Sequence, residues 1–299
     1  MRLTVAARLL AVGLAVLAGC REAAPGAVTD DAGRAVALPN RVETVFPLAP
    51  NVTELVAAAA GVERLAGVAP VDDFPAGLGG LARVATFPLD TEGLVALRPG
   101  LVVGSLDVTA TADADRLAGL GLPTYLFEFD QIADIPRALR TLDTLLATRG
   151  GAAAAEAFEM RVAAVRDAVA GFTPPRVLLL VGDEGTFYAF GRDSYASEMV
   201  RAAGGDNVTD RYPGRAATPT EEAILEMAPE VILILGGPEV SARTFAERHP
   251  ALISLPAVAR GRVYGIDPDL VSRPGPRVAD GLEAVARRLH PEAFAAGAA

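Results

Sequence analysis

The sequence predicts an α/β protein made of two similar lobes, each built on a parallel sheet covered by helices. Two observations predict it. One phrase occurs twice, as Glu92-Gly-Leu-Val-Ala-Leu-Arg-Pro99 followed by Leu101-Val102-Val103, and as Glu222-Ala-Ile-Leu-Glu-Met-Ala-Pro229 followed by Val231-Ile232-Leu233, with the two glutamates 130 residues apart. In each copy a threonine upstream (Thr91, Thr220) leads into an acidic residue, a short apolar helix, a proline that stops it and a β-branched run that reads as a buried strand. The rest of the chain alternates short apolar runs with helical patterns, which argues for parallel strands joined by helical crossovers.

The elements follow in order. Residues 1–20 have a basic start (Arg2, Arg8), an apolar stretch over 9–18 too short to span a bilayer, and the close Leu17-Ala18-Gly19-Cys20, the form of a secretory signal. Residues 21–40, rich in Ala, Gly, Pro and Asp, read as a tether running into a first short strand. The first lobe, 41–151, carries strands over 42–46, 65–68, 101–104 and 124–127 and helices over 52–60, 91–97, 112–120 and 132–149, with Gly150-Gly151 as a break. A longer helix over 152–170 ends at Gly171. The second lobe, 172–291, has strands over 177–181, 231–235 and 263–266 and helices over 196–203, 221–228 and 277–289. The Ala-rich residues 292–299 read as a frayed end.

Composition suits a globular body. A 51% hydrophobic content fills two cores, and Cys20, the single cysteine, leaves no thiol for a disulfide, a metal site or a nucleophile once it serves as an anchor. All 27 basic residues are arginine, and a formal charge of -10 argues against nucleic acid as a partner, since phosphate binding needs clustered cations.

Val45-Phe46-Pro47-Leu48-Ala49-Pro50-Asn51-Val52-Thr53-Glu54, the doubled Glu and Pro phrase, Ala203-Gly204-Gly205-Asp206-Asn207-Val208 and Asp267-Pro268-Asp269-Leu270, in that order, resemble the vitamin B12 and iron-chelate substrate-binding proteins of ABC importers. The resemblance runs from about Arg41 to Pro291. It implies two α/β lobes joined by one rigid helix, assigned to 152–171, with a ligand held in the cleft between them, no enzymatic activity and no resident cofactor. It also implies a monomer that works with ABC permease subunits. The docking role is carried onto Glu92 and Glu222, which would meet arginines on the two halves of the permease. Glu221 would take over if its helix began one residue earlier. A first-turn glutamate is favoured by the helix dipole in any case, so the pair also fits a repeated structural cap. The residues before Cys20 are similar to the lipobox of bacterial lipoproteins. That similarity implies a lipid on Cys20 and a mature protein tethered to a membrane on its periplasmic or cell-surface side.

In open α/β sheets ligands sit beyond the carboxyl ends of strands, which selects the loops 47–51, 72–74, 86–90, 105–109, 183–188, 211–215, 236–239 and 267–273. Phe74, Phe87, Tyr188, Tyr195 and Tyr212 offer flat apolar area for a large ring ligand, with Arg211 as a neighbouring cation, and the resemblance makes Tyr188 the best placed. A corrinoid is the favoured ligand. Corrinoid binders of the family commonly line the cleft with tryptophan, which this chain lacks, so haem and ferric siderophores stand as alternatives. Haem would draw on Tyr188, Tyr195 or Tyr212 for the iron and on Arg192, Arg211, Arg215 or Arg273 for the propionates. His249 and His290, each directly before a proline and outside any ligand cluster, read as structural, so no free-metal site is expected. Two other classes remain: a tethered sensor, and an enzyme using an acidic pair such as Asp72-Asp73, Asp183-Glu184 or Glu221-Glu222. Against the enzyme, the sequence shows no base beside a nucleophile, no phosphate loop and no metal spacing.

Overall fold

The computed structural model describes residues 26–183 and 185–297; the signal segment and Cys20 lie outside them. Among the described residues no helix is long and apolar enough to cross a membrane.

The chain opens with an antiparallel hairpin, β1 (Ala27–Thr29) and β2 (Ala35–Ala37). The first lobe continues with β3 (Val45–Pro47), α1 (Pro50–Ala60), α2 (Thr91–Leu97), β4 (Leu101–Ser105), α3 (Thr111–Gly119), β5 (Thr124–Phe127) and α4 (Asp134–Leu146). The strands β3, β4 and β5 lie parallel, Val45 opposite Leu101 and Val102 opposite Thr124. Their residues are buried throughout, as strands covered on both faces must be. The expected strand at 65–68 is reduced to single parallel bridges, Val45 to Leu65 and Val68 to Arg83, which extend the sheet by isolated contacts.

The stretch read as a tether is in part lobe structure. The hairpin turn is pinned to β5: Asp30 accepts from the Leu126 amide at 3.3 Å and pairs with Arg34, while Asp31 pairs with Arg137 at 2.8 Å. Its Ala, Gly and Asp composition conceals this, because the hairpin is held by charge and backbone bonds, with Val36 as its buried apolar side chain beside buried Asp30.

The linking helix α5 (Gly150–Val169) buries Ala155, Phe158, Val162, Val165 and Val169, a stripe at helical spacing. It starts at Gly150, two residues earlier than expected. The Asp143 carboxylate takes the amides of Gly151 and Ala152 at 2.8 Å, so the glycines open the helix and do not end the preceding one. They are needed for close approach: a Cβ on Gly151 would stand 2.1 Å from the Leu139 carbonyl oxygen. The main core is continuous through α5, running from Val45 and Leu55 in one lobe to Val177, Leu282 and Leu289 in the other.

The second lobe comprises β6 (Arg176–Gly182), β7 (Tyr188–Phe190), α6 (Tyr195–Ala202), β8 (Asp206–Asn207), β9 (Ala216–Ala217), α7 (Glu221–Met227), β10 (Val231–Leu235), α8 (Ala242–Arg248), α9 (Pro256–Ala259), β11 (Val263–Ile266), α10 (Pro268–Val271) and α11 (Val278–Leu289). The order is β11-β10-β6-β7-β9, with β8 beside the start of β6. β11, β10, β6 and β8 are parallel, whereas β7 and β9 add an antiparallel edge absent from the sequence reading. The expected frayed end is also corrected. Pro291–Gly297 forms a short 3₁₀ turn whose Phe294 ring sits under the Arg287 guanidinium at 4.7 Å.

Candidate functional site

The turns leaving β3 and β4 face the segment after α10 across a cavity of about 280 Å³ between the lobes. Ala49, Pro50 and Asn51 line it from one side with Ser105, Asp107 and Val108; Phe190, Tyr195, Arg215 and Arg273 line it from the other. These are strand ends, as the open α/β arrangement requires.

Arginines of the second lobe clasp acids of the first along both sides of this cavity. Arg215 reaches Asp107 at 2.6 Å and Asp130 at 2.7 Å. Arg273 reaches Asp73 at 2.7 Å and, within its own lobe, Asp269 at 3.0 Å. Arg277 grips Glu54 with two hydrogen bonds, at 2.6 and 3.0 Å, and lies over the Phe74 ring at 4.4 Å. Asn51 adds a bond to the Pro274 carbonyl at 3.4 Å. Burial pushes the Glu54 carboxyl above the usual carboxylate range, with the Arg277 guanidinium opposing it, and the hydrogen bond to Glu54 raises Arg277 in turn. Arg215, Arg273 and Arg277 are thus each matched by carboxylate.

A second cavity, of about 520 Å³, lies at the carboxyl ends of β6 and β10. Tyr188, Asp183, Glu239 and Arg248 line it. Tyr188 and Phe190 alternate with buried Ala189 and so share a face of β7, about 7 Å apart along the strand. Asp183 is buried against Arg248 at 2.9 Å and His249 Nε2 at 3.2 Å, and His249 Nδ1 lies 3.7 Å from Glu221 on α7. Phe187 and Phe245 flank the imidazole at 4.7 and 4.8 Å. His249 thus ties α8, β6 and α7 together, and His290 bonds the Gly204 carbonyl oxygen at 3.0 Å beside Phe172. Among the described residues no cluster of three or more His, Cys, Asp or Glu is arranged to hold a metal ion.

The expected aromatic residues divide. Tyr188, 55% exposed, and Tyr195 each line a cavity, although the Tyr195 hydroxyl is spent on the Val271 carbonyl and burial pushes its phenol upward. Phe74 sits on the Arg277 side of the cleft, held by that guanidinium. Phe87 is 96% exposed in the loop that follows the parallel bridge at Arg83, at the edge of the sheet where β3 and β4 also end. Arg211 and Tyr212 lie apart from the two cavities described: Tyr212 packs on the second lobe's separate core and Arg211 lies 3.9 Å from Glu226 on α7, and Phe74 and Phe87 are likewise not among the residues lining either cavity. Asp72-Asp73 splits, with Asp73 on Arg273 and Asp72 buried on the Thr53 hydroxyl at 2.6 Å. Asn51, Asp107 and Phe190 were missed as individual residues; the loop positions signalled the first two, and nothing local signals Phe190.

The doubled phrase is doubled in space. Asp90 caps α2 through the Gly93 amide and Thr220 caps α7 through the Ala223 amide, which puts Glu92 and Glu222 at the second residue of each seven-residue helix. Both helices end on a left-handed residue, Arg98 (φ 48°) and Ala228 (φ 43°), directly before the proline. Glu222 is exposed, and hydrogen bonds from its own backbone amide and the Thr220 hydroxyl hold its carboxyl below the usual range.

Comparison with known proteins agrees with this architecture. An uncharacterized ABC transporter substrate-binding lipoprotein of Bacillus subtilis is 24% identical over 284 residues, covering 91% of this chain and 88% of that protein. A vitamin B12-binding protein of Yersinia pestis is 28% identical over 240 residues, covering 79% and 82%. The structure of a periplasmic haem-binding protein, BhuT, in complex with two haems superposes with a TM-score of 0.74 at 27% identity, covering 84% of this chain and 99% of that one. The family model described as periplasmic binding protein matches residues 48–270, from the turn after β3 into α10, so that the first-lobe wall of the cleft falls inside it, with Phe190, Tyr195 and Arg215 of the second, while Ser272, Arg273 and Pro274 lie just beyond it. The chain belongs to the periplasmic binding protein family.

Proposed function

We propose that this substrate-binding protein captures a metal chelate, by preference a corrinoid, in the cleft between its lobes and delivers it to the permease of an ABC importer. A lipid on Cys20 holds it to the membrane outside the cytoplasm. The relatives support the class of ligand, since one of those above is named for vitamin B12 and another is seen with haem.

The observation that carries the corrinoid reading is the charge balance of the cleft. Arg215, Arg273 and Arg277 are already paired with Asp107, Asp130, Asp73, Asp269 and Glu54. An anionic chelate must compete with those carboxylates, whereas a corrinoid edged with neutral amides needs only hydrogen bonds and the aromatic surface that Tyr188, Phe190 and Tyr195 give the cavity walls. Haem is the second reading, favoured by the exposed Tyr188 phenol on the cavity wall.

Uptake tests the role. Cells lacking the protein should stop accumulating labelled cobalamin and a restored copy should return it, with Cys20→Ser returning less because the protein is no longer held at the membrane. Normal cobalamin uptake without the protein contradicts the proposal.

A further inference from the structure

The two helices that carry Glu92 and Glu222 repeat more than the glutamate. Read position by position from Thr91 and Glu221, the first six residues of both run half-buried, exposed, half-buried, buried, exposed, exposed. The buried member is Leu94 in one and Ile224 in the other, each fully enclosed. The next residue points outward and is aliphatic in both lobes: Val95, 40% exposed, and Leu225, 38% exposed. A single exposed aliphatic is ordinary on a protein surface. Here it recurs at one offset from an exposed glutamate, in two lobes whose helices differ at most other positions.

Residues three apart on a helix share a face, with Cβ atoms about 5–6 Å apart, so each lobe presents a carboxylate and an aliphatic group side by side. We infer that the importer-facing surface of each lobe is a two-point contact, Glu92 with Val95 and Glu222 with Leu225. The partner it fits is a membrane protein offering a cationic side chain beside an apolar pocket, twice over. The inference rests on the permease-docking reading of the glutamates and adds the half of the contact that salt cannot screen. Exposed carboxylates steer and orient, which a chain of charge -10 does at a distance, but their attraction fades as salt is added. The buried aliphatic supplies affinity that persists.

The test measures docking of the ligand-free mature protein to its cognate importer in nanodiscs, at low and at high salt. The variants are Val95→Ser, Leu225→Ser, the pair together, and the charge reversal Glu92→Arg with Glu222→Arg. Thermal midpoints serve as the check of folding, and Val95→Thr, nearly the same shape, guards against a local effect. Each serine variant should dock about tenfold more weakly, as loss of a well-buried contact residue does, and the pair should lose docking altogether at high salt. Unchanged docking of the serine pair, beside abolished docking of the charge reversal, overturns the two-point contact and leaves the glutamate docking intact. Unchanged docking of both sets overturns the docking reading and this inference with it.

Discussion

Arg215 of the second lobe holds Asp107 of the first at 2.6 Å and its neighbour in space, Asp130, at 2.7 Å, so that one guanidinium closes one side of the cleft. The cavity behind it, about 280 Å³, is just below the usual range for drug-sized ligands, about 300–1,000 Å³, and too small for a macrocycle. The clasp must open to admit one. Arg215→Ala should therefore speed cobalamin association by roughly threefold to tenfold, because two half-exposed ion pairs contribute about 1 kcal/mol together. Stopped-flow mixing reads the rate, and an unchanged or slower rate contradicts the clasp.

Arg277 and Glu54 form the buried counterpart. Arg277→Met leaves a carboxylate without its cation inside the lobe interface and should cost about 3–5 kcal/mol, a fall in thermal midpoint on the order of 10 °C. The pH dependence has a definite sign. The folded-state Glu54 carboxyl lies above its ordinary value and rises further without Arg277, so between the two values the folded state holds more protons than the unfolded. Stability then falls as pH rises through that window. The deficit of Arg277→Met should be largest at neutral pH and shrink in mild acid. A deficit independent of pH would show that lost packing on Phe74, and not the bare carboxylate, dominates.

Glu92 and Glu222 occupy one position of one repeated helix, and neither lines either of the two cavities described. Reversing both charges should abolish uptake and leave the dissociation constant for cobalamin unchanged. Weakened cobalamin binding by the purified double variant, or normal uptake, would remove the docking role.

Local pattern carried much of this. The repeated phrase located α2 with β4 and α7 with β10 because a helix start, a proline stop and a β-branched run are all written within a dozen residues. Capping aligns the two copies: Thr220 caps α7 as Asp90 caps α2, so Glu222 stands where Glu92 does, while Glu221 stands where Thr91 does and lies 3.7 Å from His249. What failed was non-local. The partners of Arg215 lie 108 and 85 residues away, and nothing in a loop sequence says which acid crosses to it. β7 and β9, three and two residues long, are too short for an alternating pattern. Arg211 and Tyr212 were assigned to the cleft on loop position and residue type, whereas the 3₁₀ turn after β8 directs them toward α7 and the second core. The hairpin at 27–37 escaped because its anchors, Asp30 and Asp31, find their partners on β5, α4 and Arg34.

The most direct measurement is calorimetric titration of the ligand-free mature protein with cyanocobalamin, haem and a ferric siderophore in parallel. One-to-one saturable binding of cobalamin with a Kd of about 1 μM or below, tighter than either anionic chelate, is the result expected of a cleft whose arginines are already paired. Tighter binding of haem would contradict the corrinoid assignment, and saturable binding of none of the three would contradict the metal-chelate cleft itself.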